Sequence, residues 1–398
     1  MRKHEIPVLI AIFLDLAGFG MAFPDVQLRA ESLGASGPLI GIILASLFVV
    51  QFIASPIWGK FSDAIGRKPV AILCTLLSAV SMILYATTDS LGGIFLSRIV
   101  AGLAAANVVV AQAYLADRSS EENRGQVMGR IGAAISTGLI AGPFLGGRLV
   151  EVGGSRLMGF VAAAASGIGA LVLLIGMSNP KPKGPVELPA TPIFDFRLIR
   201  DIPRLKMFFL LAAVAWFSLA CLEGTFGRLV ADMYQYPLQE FGMTFTKPQG
   251  ASGAIFGLES LIAFLVQGLL FARISRSLSS RSLLLIGFIL QGAGLLLTPF
   301  APSFAVLVLW SGIFSFGGAI ANPTINAVCS QLVPENRQGE LFGLLQASRS
   351  VGFLFGPILG GALFDWHRAL PYVAAGAVLL GASVLVNWTP QMRLTQGD

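Results

Sequence analysis

Twelve apolar runs, each about as long as a membrane-spanning helix, account for most of this chain. A helix needs about 20 mainly apolar residues to cross the hydrocarbon core of a bilayer. The pattern therefore predicts an all-α membrane protein with twelve transmembrane helices. The predicted spans are 6–24, 38–58, 70–88, 91–115, 127–150, 157–178, 207–230, 251–271, 282–300, 304–328, 340–364 and 370–389.

The longest polar interruption lies between the sixth and seventh runs. It extends from Ser178 to Lys206 and is rich in proline and basic residues, which is typical of a solvated linker. The chain is therefore predicted to form a six-helix bundle over 1–178, a cytoplasmic linker over 179–206, and a second six-helix bundle over 207–398.

The two predicted bundles share a sequence repeat. The segment from Glu122 to Gly147 aligns with the segment from Asn336 to Gly361 at a constant offset of 214 residues. Parallel six-helix repeats occur in secondary transporters, whose substrate site lies near the bilayer midplane between the repeats. The repeat therefore predicts two pseudo-symmetric halves and a transport function.

Composition narrows the function further. The chain has 398 residues, is 55% hydrophobic and only 12% charged, whereas soluble domains carry about 25% charged residues. Its three cysteines (Cys74, Cys221 and Cys329) lie in separate apolar runs, and its only histidines are His4 and His367. This pattern favours neither a disulfide framework nor a metal site, and we expect no cofactor and no nucleic-acid partner despite the net charge of +6.

The basic residues are distributed unequally between the two sides of the membrane. If the N-terminus is cytoplasmic, the inner segments hold 19 Lys and Arg residues and the outer segments hold 6. Basic residues accumulate in cytoplasmic loops, so both termini are predicted to be cytoplasmic. The basic N-terminus lacks a signal-peptide cleavage site, which predicts a retained first helix. The two basic residues that belong to neither count, Arg98 and Arg349, lie well inside predicted spans.

Charges within the spans are the first candidates for function, because an unpaired charge in hydrocarbon is costly. Arg98 lies roughly 10 Å from the outer end of the fourth span, and Asp15 in the first span is its expected partner. In the second half, Glu259 and Arg349 are both near the midplane and are expected to pair, with Glu223 closer to the outer face. Either pair could couple transport to protons or could be a static structural ion pair.

Three sets of polar and small residues complete the prediction. The tight loop between the second and third spans contains Gly59, Asp63, Gly66, Arg67 and Lys68, and the two glycines are expected to let the helices approach and reverse. Gly138, Gly142, Pro143, Gly146 and Gly147 in the fifth span are expected to pack closely against another helix backbone. Neutral polar residues predicted to line a substrate cavity are Gln51, Asn107, Gln112, Tyr114, Gln291, Asn322, Asn326 and Gln346, although each alone could be an interhelical hydrogen bond.

These motifs resemble those of the major facilitator superfamily. The loop fits that family's G-x-x-x-D-x-x-G-R-[KR] pattern, and GLIAGPFLGG (138–147) is similar to its antiporter signature in helix 5. The Arg98-x-x-x-Gly102 spacing is similar to a helix-4 motif whose arginine is tied to proton coupling. The resemblance covers nearly the whole chain and is strongest to the twelve-helix drug:proton antiporters, including tetracycline exporters. However, Ser81 and Gln291 stand where tetracycline exporters carry acids, and the outer segment 233–247 is unusually long.

The resemblance implies a monomeric, proton-coupled antiporter in the inner membrane of a bacterium, surrounded by membrane lipids. It would export small amphipathic compounds of the multidrug type by alternating access. A lipid or lysolipid flippase of the same fold is the alternative, and a membrane sensor or scaffold is the alternative outside transport. No catalytic or phosphate-binding motif is present in the sequence, so an enzyme is not expected.

Overall fold

The computed structural model describes residues 5–119, 121–178, 197–334 and 337–389. In this part of the chain the backbone is almost entirely helical, and the prediction of an all-α membrane protein is confirmed. The helices are α1 (Glu5–Met21), α2 (Phe23–Ser32), α3 (Gly37–Ile65), α4 (Arg67–Thr87), α5 (Leu91–Ala104), α6 (Asn107–Ala116), α7 (Glu121–Gly176), α8 (Arg197–Asp201), α9 (Leu205–Met233), α10 (Pro248–Leu265), α11 (Phe271–Ser277), α12 (Ser280–Leu297), α13 (Phe304–Leu332), α14 (Gln338–Trp366) and α15 (Leu370–Leu385).

Within the described residues, eleven helical stretches are long and apolar enough to cross a membrane. Ten of them match one predicted span each. The remaining stretch, Gln126–Gly176, contains both the fifth and the sixth predicted spans. Gly154 has a φ of +72° and a ψ of −177° and interrupts the helical geometry between them. The gap at 151–156 between the two predicted spans thus contains the break: a single glycine, in a conformation that other residues rarely adopt, separates the two helices.

Two other spans contain a short break. The first continues from α1 through α2 to Ser32, eight residues beyond its predicted end, with Ala22 between the two helices. The fourth consists of α5 and α6, separated by Ala105 and Ala106. As a result, the helical stretches include side chains that the predicted span limits leave in loops.

The long outer segment between the seventh and eighth spans contains a β-hairpin. Strand β1 (Leu238–Glu240) pairs antiparallel with β2 (Met243–Phe245). The turn has positive φ at Phe241 (52°) and Gly242 (72°), as expected of a two-residue hairpin turn of type I′. The hairpin accounts for the unusual length of this segment.

The chain divides into two compact units. Unit 1 contains Met1–Ala35, Ile43–Ala190 and Val230–Gly257, and unit 2 contains Ser36–Ile42, Thr191–Leu229 and Leu258–Asp398. Each unit thus includes a short segment from the other half of the sequence. The predicted bundle limits at 178 and 207 stay a prediction, and residues 179–196 of the predicted linker lie outside the described residues.

Close packing of small residues holds the helices of each unit together. In unit 1, a Cβ atom added at Gly18 of α1 would lie 3.0 Å from the Ala162 carbonyl oxygen of α7. In unit 2, a Cβ atom at Gly317 of α13 would lie 2.5 Å from the Gln291 backbone nitrogen of α12. Helices in lipid associate mainly through such close contacts, because apolar side chains gain no hydrophobic advantage by leaving the lipid.

Candidate transport site

The loop motif of the second and third spans is built around a reversal at Gly66. Gly66 has a φ of +105° and joins α3 directly to α4. Arg67 forms an ion pair with Asp63, lies 3.3 Å from Asp117 and donates a 2.5 Å hydrogen bond to Ser62. Through Asp117, the motif ties the turn to the end of the fourth span.

The remaining two motif residues behave differently from each other. Lys68 donates a 2.7 Å hydrogen bond to the Leu174 carbonyl near the end of α7. Gly59 lies inside α3 with nothing within 4 Å of the position where a Cβ atom would be. The expectation that Gly59 permits a close approach is therefore wrong for this structure, since Gly66 alone makes the turn.

The glycine motif of the fifth span forms a seam with α1. Cβ atoms added at Gly138 and Gly142 would lie 2.9 and 2.6 Å from the carbonyl oxygens of Phe13 and Ala17. Gly146 makes the same kind of contact with the Met21 carbonyl. The three glycines are spaced four residues apart, and so are the three carbonyls that they contact. The two helices therefore run parallel and in register, packed along their i, i+4 ridges. Gly147 and the carbonyl of Pro143 contact α10 within the same unit, whereas the ring of Pro143 contacts Gly20 of α1.

Asp15 and Arg98 were expected to pair, but the structure places them in different environments. The Asp15 carboxylate accepts hydrogen bonds from Asn107 (3.2 Å) and Ser166 (3.0 Å). The Arg98 guanidinium lies 5.1 Å from the centre of the Tyr85 ring. No ion pair joins them in the described part of unit 1, because the depth of a residue along its helix does not determine which face it occupies.

Asp25 is the charged residue near Arg98 that the sequence analysis missed. It is fully buried, accepts a 2.7 Å hydrogen bond from the Tyr85 hydroxyl, and accepts a 3.2 Å hydrogen bond from Gln249. Asp25 also attracts the Arg98 charge electrostatically. The first apolar run ends at residue 24, so hydropathy alone places Asp25 outside the span. Its position after Pro24, in the first turn of α2, was the signal available for a continued helix.

Unit 2 contains a cavity of about 240 Å³ whose lining is partly polar and partly apolar. Its walls come from three helix faces, each with residues spaced three, four or seven apart, as expected of a single face of a helix. The lining residues are Ala212 and Trp216 of α9, Asn322, Ile325 and Asn326 of α13, and Phe342, Leu345, Gln346 and Arg349 of α14. Three of the predicted cavity residues, Asn322, Asn326 and Gln346, thus lie together.

Arg349 is the charged centre of this cavity. Its guanidinium lies 4.4 Å from the centre of the Trp216 ring and 5.4 Å from that of Phe353. The acid that interacts with its charge is Glu223, which is seven residues from Trp216 and so on the same face of α9. The predicted pair of Glu259 with Arg349 is not formed among the described residues.

Glu259 is nonetheless buried close to the other charges. Only 8% of the residue is exposed, its backbone carbonyl accepts a 2.6 Å hydrogen bond from Ser315, and its carboxylate interacts with the charge of Glu223. Both residues of the predicted pair thus interact with Glu223 rather than with each other. The equal depth in the membrane that the sequence predicts for Glu259 and Arg349 does not specify contact between them.

The other predicted cavity residues occupy separate places. Asn107 binds Asp15, and Tyr114 is fully buried in the apolar core of unit 1, where its hydroxyl pairs with Ser178 at 3.1 Å. Gln291 is buried against Gly317 and Gly318 at the α12–α13 seam. Gln51 and Gln112 are half-buried. Tyr114 and Gln291 therefore do not line the cavity of unit 2.

A multi-pass helical protein with a repeated sequence, buried intramembrane charges and a partly polar cavity has the features of a membrane transporter. The family model described as Major Facilitator Superfamily matches residues 8–281 and 251–395, and this chain belongs to that superfamily. It is therefore a transporter of small molecules rather than an enzyme.

Curated relatives are similar to this chain over nearly its whole length. "Multidrug resistance protein 1" of Bacillus subtilis (strain 168) is 28% identical over 393 residues, which covers 98% of this chain and 97% of that protein. "Quinolone resistance protein NorA" of Staphylococcus aureus is 28% identical over 391 residues, covering 97% and 96%.

Solved structures show the same fold. The crystal structure of the nucleoside transporter NupG has a TM-score of 0.72 at 17% identity and covers 97% of both chains. The human organic anion transporter MFSD10 has a TM-score of 0.65 at 22% identity, covering 97% of this chain and 99% of that one. At these identities the likeness concerns the fold alone.

Proposed function

We propose that this protein exports small, amphipathic aromatic compounds from the bacterial cytoplasm in exchange for protons, by alternating access. The observation that carries the proposal is the cavity of unit 2, where an aromatic ring, three amide side chains and a charge-balanced arginine meet. The names of two of its curated relatives, a multidrug resistance protein and a quinolone resistance protein, point to the same class of substrate.

The lining of the cavity suits molecules with a flat apolar part and a few polar groups. Trp216 offers a ring face for stacking, and Phe342, Leu345 and Ile325 add apolar surface. Side-chain amides both donate and accept hydrogen bonds, so they can satisfy many different polar groups. Such a mixture favours broad selectivity over recognition of a single compound.

Proton coupling would depend on the buried carboxyl groups. Glu223 interacts with both Arg349 and Glu259, so a movement that separates Glu223 from Arg349 would leave two acids without their cation. A carboxylate deprived of its cationic partner in a low-dielectric environment takes up a proton. Asp15, which binds only neutral donors among the described residues, and Asp25 with Arg98 are the corresponding candidates in unit 1.

The proposed location is the inner membrane of a bacterium, with both termini in the cytoplasm and the protein acting as a monomer. The orientation is supported by the excess of basic residues in the predicted inner segments, 19 against 6. The loop motif of Gly66, Arg67 and Lys68 then lies on the cytoplasmic side, and the β-hairpin lies on the outer side.

The test is transport by purified protein in liposomes. An imposed pH gradient should drive accumulation of ethidium, a flat aromatic cation, and adding ethidium should release protons. Trp216→Ala should reduce accumulation at least several-fold, whereas Trp388→Ala, a tryptophan that is 70% exposed, should not. Accumulation that is independent of the pH gradient would overturn proton coupling. Flipping of a fluorescent lysolipid without any ethidium transport would favour the lipid alternative.

A further inference from the structure

Two acidic residues at the ends of long helices are related by the sequence repeat. Glu151 in α7 and Asp365 in α14 are separated by the same 214 residues that relate the two halves. Both follow the glycine-rich motif of their repeat, four residues after its final glycine. Neither acid belongs to the cavity or to the buried charge networks described above.

Glu151 binds the beginning of α10. Its Oε1 accepts hydrogen bonds from the backbone nitrogens of Thr246 (2.7 Å) and Lys247 (3.3 Å), which directly precede Pro248, the first residue of the helix. Its Oε2 accepts a 2.7 Å hydrogen bond from Arg148. A carboxylate at a helix N-terminus both satisfies free backbone N–H groups and opposes the helix dipole.

Asp365 binds the beginning of α3 in the same way. Its Oδ2 accepts a 2.7 Å hydrogen bond from the backbone nitrogen of Gly37, the residue that precedes Pro38. Its Oδ1 lies 3.0 Å from Nη2 of Arg228. In both units, therefore, a carboxylate balanced by an arginine accepts a hydrogen bond from the backbone N–H of the residue that precedes a proline in the first turn of a helix.

Packing beside the two acids follows the same repeat. The equivalent glycines Gly147 and Gly361 contact the backbone carbonyls of Gln249 and Gly37, respectively. Gly253 and Gly41 contact the carbonyls of the equivalent prolines Pro143 and Pro357. In each unit, the first turns of a helix from one half of the sequence thus pack against the glycine motif of the other half. The acid lies at the end of that contact.

We propose that Glu151 and Asp365 are a pseudo-symmetric pair of latches that hold the outer ends of α10 and α3 closed and must release them when the transporter opens outward. This inference rests on the proposed alternating-access function. Because α10 and α3 each come from the opposite half of the sequence, opening toward the outside requires these contacts to separate. Glu151 and Asp365 would be positioning residues, which set the balance between closed and open states without touching the substrate.

The test is a pair of distances measured by double electron–electron resonance in purified protein. The three native cysteines are replaced by serine, and spin labels are placed at Val152 and Gln239 across the first latch. For the second latch, the labels are placed at Ser36 and Trp366. All four positions are exposed, so labelling should not disturb the packing.

Glu151→Gln keeps a hydrogen-bond acceptor but removes the charge, and it should raise the separated population at the first pair about fivefold. Asp365→Asn should do the same at the second pair. Asp89→Asn is the matched control, since Asp89 is an outer acid that pairs with Arg156 at 2.6 Å but is 68% exposed and caps no helix. It should leave both distance distributions unchanged.

Unchanged distances in both latch variants, or an equal shift in Asp89→Asn, would overturn the proposal. Asp365 is one-third exposed, so its variant should fold even if Glu151→Gln does not, and that latch can be judged by itself. The distances do not require transport. If the distances shift but ethidium is not transported, the latch proposal is supported and the proposed substrate class is wrong. If transport is normal and the distances do not shift, the latch proposal is wrong.

Discussion

The glycine seam between α7 and α1 allows a quantitative prediction from a single added methyl group. In Gly142→Ala, the new Cβ atom would lie 2.6 Å from the Ala17 carbonyl oxygen and 2.9 Å from the Gly20 Cα. Ordinary contact begins at 3.4 Å, so the overlap with the carbonyl oxygen is roughly 0.8 Å. Both opposing atoms belong to the backbone, and neither can move away by a side-chain rotation.

The helices must therefore separate locally, and the neighbouring contacts of Gly138 and Gly146 loosen with them. Overpacking of this kind costs about 1–3 kcal/mol in protein cores. An energy of that size corresponds to a factor of about 5 to 150 in a conformational equilibrium. We expect Gly142→Ala to unfold at a lower temperature and to transport ethidium at least fivefold more slowly than the parent protein.

The control is Ala164→Val, which adds two methyl groups to an exposed position of the same helix. Thermal unfolding in detergent and ethidium uptake into liposomes measure the two effects separately. The reasoning would be refuted if Gly142→Ala matched the parent protein in both assays, because the α7–α1 seam would then tolerate a side chain. Equal losses in both variants would show that any added bulk in α7 is harmful.

Three further substitutions test the charges. Glu223→Gln should abolish the dependence of uptake on the pH gradient, measured in liposomes, because it removes the acid that interacts with Arg349; an unaltered pH profile would contradict this role. Asp25→Asn keeps the Tyr85 contact but removes a buried charge near Arg98, so proton release on adding ethidium should fall by about tenfold or more. Unchanged proton release would show that Asp25 has only a structural role. Asp63→Asn weakens a partly exposed ion pair worth about 1 kcal/mol or less, so the uptake rate should change only a few-fold, and complete loss would show that the loop acid does more than pair with its neighbour.

The sequence by itself determined the class of fold and most of the spans. Apolar runs of about 20 residues identify membrane helices because the bilayer imposes their length. The 214-residue repeat and the glycine spacing of 138–147 predicted the seam that the structure shows, since residues four apart must share one face of a helix. The loop at Gly66 was predictable because so short a connection between two spans requires a glycine.

Only the tertiary structure decided which charged residues meet. Hydropathy gives the depth of Arg98 or Arg349 in the membrane but not the rotation of each helix about its axis. It therefore predicts Asp15 and Glu259 as their partners, whereas in the structure Asp25 and Glu223 interact with the two arginines. Rotation depends on packing against neighbouring helices, which is information from distant parts of the chain. For the same reason, the contacts of Glu151 and Asp365 with helices from the opposite repeat become visible only once the chain is folded.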